Sequence, residues 1–443
     1  MTDLRTGQPS IGIDGFNLST SQGTGIARYG RNLLTSLRDM GIRSHVLFGP
    51  NSARSGDALL EEIALTEPSA ARPLTLKNRA EREIRTLSRM VIGATAHPIT
   101  ESGEVIWHGG GAGRPPADRL WSAARLFGDA NRVHSRHDAF MSVRFDRQAG
   151  PSAMHWTSIL PVCANNIPNL YTIHDLIPLK LPHSVGTDKI KFLKICKKIA
   201  RTADHIVTVS ETSRQDIIQI LGIEEDRVTN TYQAVDVPDI VAKRDHDDIA
   251  TDLDSNFDLE WRGYFLHFGA VEPKKNLRRI VEAYLVSGVR TPLVIVGGRG
   301  WMADDELAQL RQLQRTGVAA GSRIRMYEYM TYPMLLTLVS GARTVLFPSL
   351  YEGFGLPVLE AMALGAPVLT STGGALPEVA GDAALVVDPY DVSALAEGIR
   401  TLDADLDLRN SLTQRGMVRA ACFSPDAYRA RLTDLYAKVG ITT

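Results

Sequence analysis

Two glutamates with seven residues between them, Glu352 and Glu360, lie in the stretch FPSLYEGFGLPVLEAMALGAPVLTSTGGALPEV, Phe347 to Val379. A short apolar strand, Thr344 to Phe347, runs into it and Pro348 breaks the strand. The loop that follows holds Glu352, Gly353, Phe354 and Gly355. Pro357 stands where a first helical residue is expected and Gly365 where a helix stops, which puts Glu360 on the first helical turn. Loop amides and a helix N-terminus favour phosphate. Carboxylates beside them suit hydroxyl groups. Phosphate and polyol recognised together point to a sugar nucleotide.

Three further groups carry chemistry. Lys274 and Lys275 stand at the C-terminal end of a strand, Tyr264 to Phe268, in the loop AVEPKKN. Lysines there can neutralise a diphosphate leaving group as point charges, or simply make a surface turn. His174 and Asp175 end another strand, Asn169 to Ile173, and in open α/β sheets the C-terminal strand ends carry the chemistry. For His174 a structural histidine or helix cap is the alternative. Gly23-Thr24-Gly25 lets backbone amides approach a phosphate or sugar. It fits the dinucleotide fingerprint only in part, since Arg28 holds the third glycine position, and a ligand-free loop stays open as well.

These groups need strands to hold them. Ile11 to Asp14 reads as a strand, Ile26 to Met40 as a helix with apolar residues at helical spacing, and Ser44 to Phe48 as the next strand. This is an α/β opening. The rhythm is illegible over residues 50–150 and returns at His155. Between about Asp236 and Arg262 it lapses into charge, AKRDHDDIATDLDSN, and a domain boundary is expected there. A second alternation then runs through Leu277–Leu285, Pro292–Val296, the edge-like Arg323–Met326 and a helix near Tyr332–Ser340. A last helix covers Pro425 to Val439. Two stretches are basic and helical. Arg72 to Arg89 interleaves Lys77, Arg79, Arg82, Arg85 and Arg89 with Leu74, Leu76, Ile84 and Leu87, and Thr187 to Ala203 carries five lysines and Arg201. Such faces lie on anionic membranes or are solvated, and both readings stay open.

At 443 residues two domains are expected. Lys plus Arg total 49 against 50 for Asp plus Glu, so charge gives no argument for a nucleic-acid partner. Three widely spaced cysteines, Cys163, Cys196 and Cys422, exclude a full disulfide framework. No apolar run is long enough for a membrane span, and the N-terminal stretch lacks the apolar core of a secretory signal. A cytoplasmic protein, possessing no membrane-crossing helix, is expected.

The segments TIHDLIPL, VTVSETSRQDI, GAVEPKKNL and EGFGLPVLEAMALGAPVLTS, in that order, resemble the retaining glycosyltransferases of family 4. The similarity covers residues 11–49 and 155–440 and leaves out 50–150. It implies an α/β architecture of the GT-B type, with two Rossmann-like domains facing across a cleft. The N-terminal, acceptor-side domain takes 1–240 with 50–150 as an insertion. The nucleotide-sugar domain takes 241–424, and a helix in 425–443 packs back towards the first. By resemblance Glu360 bonds the ribose and Glu352 the transferred sugar, while the amides of Phe354, Gly355 and Leu356 lie near the diphosphate and sugar. Lys275 matches the phosphate-binding lysine and Lys274 the position before it. Gly269-Ala270 replaces a frequent Gly-Arg. His174 faces the donor sugar, Gly25 reaches the phosphates, and the base is read near Tyr329-Met330.

Retention implies same-face attack, so the two glutamates are not a glycosidase pair. No metal is expected, because Asp247-Asp248 and Asp304-Asp305 precede no plausible sugar site, and no cofactor beyond the donor substrate. The resemblance to bacterial mannosyltransferases of surface-polysaccharide assembly makes GDP-mannose the first donor, a glycan or lipid-linked glycan the acceptor, and the cytoplasmic membrane face the place of action. A UDP-sugar transferase, sugar-phosphate synthase or epimerase of the same fold is the alternative, and a non-catalytic carbohydrate-binding protein the more distant one.

Overall fold

The computed structural model describes residues 9–18, 25–52, 54–66, 76–107, 113–238, 241, 244–316 and 321–441. Most of the loop from Asn17 to Gly25, including Gly23 and Thr24, lies outside these residues, as do the side chains of Lys77, Arg79 and Arg82.

Eleven strands belong to the N-terminal part: β1 (Ser10–Asp14), β2 (Arg43–Phe48), β3 (Ala94–Thr95), β4 (His97–Pro98), β5 (Arg119–Ser122), β6 (Met141–Arg144), β7 (Ala153–Trp156), β8 (Val162–Ala164), β9 (Asn169–Thr172), β10 (His205–Thr208) and β11 (Val228–Asn230). Eight of them form one sheet in the order β11-β10-β9-β7-β1-β2-β5-β4, and β3-β6-β8 form a small second one. The eight-stranded sheet is parallel except at β4. Its central strands are buried on both faces, which is why SIGID and NLYT carry apolar residues without strict alternation. The C-terminal part holds β12 (Phe265–Phe268), β13 (Leu293–Val296), β14 (Ile324–Tyr327), β15 (Thr344–Phe347), β16 (Val368–Ser371) and β17 (Leu385–Val387), ordered β14-β13-β12-β15-β16-β17 and all parallel.

Both sheets reverse direction in mid-course. In the first the chain leaves β1 towards β2 and β5, then returns to β7 and runs the other way. In the second it leaves β12 towards β14, then returns to β15. Crevices open at such points beyond the C-terminal strand ends, between β1 and β7 and between β12 and β15.

Two stretches hold more regular structure than the sequence showed. Within the charged stretch before Arg262, His246–Phe257 is a helix that buries Ile249, Leu253 and Phe257 and packs on the helix Tyr332–Gly341. Its apolar residues recur at four-residue spacing, one face of a helix that carries Asp247, Asp248, Asp252 and Asp254 among its other positions. Residues 50–150 are also structured where described. They supply β3 to β6 and the helices Ala58–Thr66, Leu76–Ile92 and Leu126–His137.

The last helix, Pro425–Lys438, buries Tyr428, Leu432, Leu435 and Tyr436. Tyr436 Oη lies 3.0 Å from His155 Nδ1 on β7, and Arg429 pairs with Asp39 at 3.2 Å, so this helix lies against the N-terminal domain.

Candidate active site

The C-terminal half of the site is built from three loops tied together by backbone groups. After β12 the chain makes a short turn, Pro273–Lys275, and Asn276 enters the left-handed region at φ 65° before the helix Leu277–Ser287. The Asn276 side chain donates through Nδ2 to the carbonyls of Pro348 at 3.0 Å and Pro389 at 2.8 Å, fixing the lysine turn to the loops after β15 and β17. The Leu350 amide donates to the Lys274 carbonyl at 2.8 Å, and the Ala375 amide to the Glu352 carbonyl at 2.9 Å. Gly374 adopts φ 64°, and a Cβ there would lie 2.4 Å from the Glu352 carbonyl. The TSTGG segment is thus a clamp on the glutamate loop.

Within this frame Lys275 Nζ donates to Glu352 Oε1 at 2.6 Å. Burial works to raise the Glu352 pKa, but Lys275 and Lys274 outweigh it and hold the carboxyl below its ordinary value. Burial likewise opposes the charge on Lys274, and Glu352 and Asp175 more than offset it, so its pKa is raised. Glu352 and Lys274 are therefore both charged at neutral pH.

Glu360 is the fifth residue of the helix Leu356–Ala363, one residue deeper than the sequence suggested, because Leu356 rather than Pro357 begins the helix. Its carboxylate accepts from Tyr332 Oη at 3.0 Å and from Arg28 of the N-terminal domain, and Arg28 also reaches Tyr332 Oη and stacks on its ring. Burial raises the Glu360 pKa against the opposing pull of Arg28. Tyr329 is exposed and Met330 half-buried on the loop after β14, two to three residues before Tyr332.

The two glycines of EGFG do different jobs. Gly355 takes φ 106°, which only glycine adopts without strain. Gly353 meets the other domain: a Cβ there would lie 2.7 Å from Asp175 Cβ and 2.9 Å from the His174 carbonyl. Phe354 points away from the cleft into an aromatic cluster with Tyr232 and Phe423, so any ligand contact is left to its backbone. Leu356 is half-buried against the core.

On the N-terminal side His174 follows β9. Its Nε2–H donates to the Thr157 carbonyl at 2.9 Å and its ring meets Tyr29 edge-on. Burial lowers its pKa, against the Thr157 carbonyl and Asp175, so the ring is neutral and Nδ1 is its acceptor. Asp14, at the reversal point of the first sheet, accepts from the Thr157 amide and hydroxyl at 2.5 and 2.9 Å. Burial pushes its pKa up to about 6. Gly25 opens the helix Gly25–Asp39 with nothing within 4 Å of a would-be Cβ, so there is room beside it.

The structure therefore brings Lys274, Lys275, Glu352, Gly353, His174 and Asp175 to one place. Glu360, Tyr332 and Arg28 form its neighbouring wall. Sequence reasoning passed over Arg28 and Tyr332, although Arg28 had been noted as the odd residue in a glycine-rich pattern and Tyr332 lies close to Tyr329. It also missed two ties between the domains. The Glu378 carboxylate accepts from the amides of Glu211 and Thr212, capping the helix Glu211–Leu221 across the cleft. Lys180 donates to Asp216 at 2.6 Å and to Tyr351 Oη at 2.9 Å.

The family model described as Glycosyl transferases group 1 matches residues 253–419, and the one described as Glycosyltransferase Family 4 matches residues 104–238. The latter reaches into residues 50–150, where the sequence reading found no resemblance. The chain is 37% identical over 261 residues to O-antigen chain mannosyltransferase B of Escherichia coli, covering 57% of this chain and 66% of that one. It is 27% identical over 232 residues to O-antigen chain mannosyltransferase RfbU of Salmonella typhimurium, 52% of this chain and 60% of that one. These matches span about two thirds of the relatives' lengths or less. A solved sucrose-phosphate synthase from Thermosynechococcus elongatus has the same fold, with a TM-score of 0.63 over 98% of this chain and 99% of that one at 16% identity.

Proposed function

We propose that the chain is a member of the family 4 glycosyltransferases with the GT-B fold, a retaining transferase moving a hexose, mannose from GDP-mannose, to a glycan or lipid-linked oligosaccharide in surface-polysaccharide assembly. The observation that carries this reading is the meeting of two strand-end loops across the cleft. Lys274, Lys275 and Glu352 stand on one side, and His174 and Asp175 press against Gly353 on the other. The choice of mannose rests on the names of the two O-antigen relatives.

In the proposed reaction the bond from the anomeric carbon to the diphosphate oxygen breaks and its electron pair leaves with the diphosphate. Lys275, with Lys274 beside it, stabilises that charge as it forms. The acceptor hydroxyl attacks from the same face and its proton passes to the departing oxygen. Glu352, held ionised by the lysines, takes the sugar's hydroxyl protons as hydrogen bonds. The Nδ1 lone pair of neutral His174 takes another. Glu360 with Tyr332 offers the ribose an acceptor. The step is routed through no metal ion.

The work is proposed to take place at an anionic membrane face in the cytoplasm. The support comes from the helix Leu76–Ile92, though from a different face than the sequence suggested. Arg85 and Arg89 turn inward onto Asp129, while Ile84, Leu87 and Val91, 69%, 48% and 80% exposed, form one outward stripe. Among the described residues no helix is long and apolar enough to cross a membrane.

The test is a donor panel with mass analysis of products. GDP-mannose should give GDP and a new glycoside. Turnover of UDP-sugars alone, or nucleotide release without a glycoside, would sink the reading. Glu360→Ala should weaken donor binding in calorimetry, and unchanged affinity would remove its ribose role. Vesicles of anionic lipid should sediment the wild type but not Ile84→Asp/Val91→Asp; equal sedimentation would leave the stripe without a membrane role.

A further inference from the structure

A cavity of about 330 Å³ opens in the N-terminal domain, and four of its lining residues are arginines: Arg54, Arg85, Arg89 and Arg125. It lies beyond Pro50 and Ser122, at the C-terminal ends of the parallel strands β2 and β5. His174 follows β9 on the same edge of the same sheet. The order β9-β7-β1-β2-β5 separates cavity and His174 by three to four strand spacings, about 14–19 Å at about 4.8 Å each. The cavity thus shares the cleft-facing edge with the reacting groups and stands one short oligosaccharide away from them.

Its charge is not balanced from within. Asp129, fully buried, takes Arg85, Arg89 and, from behind, Arg132, and Glu61 lies 3.5 Å from Arg54. Among the described residues here, five guanidiniums face two carboxylates. Arg125 carries the imbalance most directly. It caps the helix Leu126–His137 at φ 59°, a left-handed conformation unusual for arginine, with its amide bonded to the Pro50 carbonyl at 2.7 Å. Burial, and after it the neighbouring Arg85, lowers its pKa. A strained, self-repelling group that persists is a reason to look for a ligand. A planar guanidinium fork fits phosphate oxygens two at a time, and a helix N-terminus beside it adds polarity of the same sign.

We propose that this cavity binds a phosphate or diphosphate group, carried by the acceptor some sugars away from the hydroxyl that attacks. The proposal rests on the transferase reading for its link to the acceptor, though not for the anion site itself. An acceptor held here by its phosphate presents its far end to His174 and Glu352, so the arginines act in recognition and length selection rather than in chemistry.

Inorganic pyrophosphate is the first probe. Calorimetry should find two sites in the wild type. Lys275→Met should lose one, and Arg54→Gln/Arg125→Asn the other, asparagine being chosen because it tolerates the left-handed backbone. Two undiminished sites in the arginine variant would overturn the proposal. In the wild-type protein, pyrophosphate should shield Arg54 and Arg125 from phenylglyoxal; equal labelling with and without it would overturn the site even if the variant does not fold. The second probe is a pair of acceptors differing only in a terminal phosphate. Losing one charge-assisted bond should raise the KM of the phosphorylated acceptor about tenfold or more, with kcat and the plain acceptor unchanged. Equal effects on both acceptors would make the arginines structural. Pyrophosphate binding without any preference for the phosphorylated acceptor would assign the cavity to free anions and overturn the acceptor role. Pyrophosphate bound at the arginines with no glycosyl transfer from any donor would sink the transferase reading and leave the anion site standing.

Discussion

The two halves of the cleft are made differently. On the C-terminal side, Lys274, Lys275 and Glu352 sit on adjoining loops that bond to one another through Asn276, Leu350 and Ala375, all in one domain. On the N-terminal side, His174 and Asp175 follow β9 while Arg28 comes from the helix Gly25–Asp39, and all three meet the opposite domain. The C-terminal side, the donor side of the proposed reaction, is therefore preassembled, and the composite site exists only when the domains meet. A site of this kind can bind one substrate in the open state and begin chemistry only on closing.

The sharpest way to break that contrast is to disable each side separately. Lys275→Met should lower turnover by about 10²–10³-fold, the loss typical of one transition-state donor. It also removes the bonded partner of the buried Glu352 carboxylate, leaving Lys274 as the neighbouring cation, and breaking a buried pair costs up to about 3–5 kcal/mol. Adding Glu352→Gln should restore the melting temperature and leave activity low; recovery of both together would mean that Lys275 is only structural. Gly353→Ala tests closure instead. Its Cβ would strike Asp175, 2.7 Å away in the other domain, and leave the donor loops intact. Donor affinity should hold while turnover drops on the order of 10²-fold, as for a misplaced reacting group. Loss of donor binding in this variant would show that the donor side is not preassembled.

The domains should also differ in acid. Burial pushes the pKa of His155 down to about 3 and those of His45 and His205 down to about 4 in the N-terminal domain. His267, at about 4, is the corresponding group in the C-terminal one. A histidine with a lowered folded pKa binds its proton more readily when unfolded. The stability it contributes is whole above about pH 6.5 and is lost as pH falls towards the folded value. Asp14, raised to about 6, works the other way and favours the folded N-terminal domain as pH falls below that value. The N-terminal domain, with the larger number of such histidines, should lose more stability than the C-terminal one as pH falls to 5, Asp14 offsetting part of the loss. Hydrogen exchange resolved by peptide should show β7 and β10 opening before β12; simultaneous opening would join the domains into one cooperative unit.

That contrast also explains what could be read from the chain. The C-terminal side was legible because EGFG and EPKKN are short segments whose glycine, proline and charge positions stand next to one another in sequence. The φ of Gly355 and the clamp made by Gly374 in TSTGG appear only in the structure. The acceptor side was less legible, since the partner of each group is distant in sequence. His155 meets Tyr436, 281 residues on, and Arg28 meets Glu360, 332 residues on. The strands of residues 94–122 are only two to four residues long, too short for alternation to show. The helix His246–Phe257 was a different failure. Ile249, Leu253 and Phe257 had the right spacing, and the density of acidic residues between them hid it.

The smallest expected effect concerns Arg28, which joins the two halves at the wall proposed to take the ribose. Arg28 bonds both Glu360 and Tyr332. If it belongs to the closed site alone, it competes with the ribose for Glu360 when no donor is present and shares the carboxylate when one is bound. The effects of Arg28→Ala and Glu360→Ala on donor affinity should then not add. Groups in direct contact couple by on the order of 0.5–3 kcal/mol, and a double-mutant cycle read by donor calorimetry isolates that quantity. Additive effects would place Arg28 outside the donor site and make its contact with Glu360 a tie between domains and nothing more. Coupling without any change in turnover would give it to binding. Coupling together with a fall in kcat would make Arg28 the N-terminal domain's sensor of the nucleotide, through which an occupied donor site favours closure.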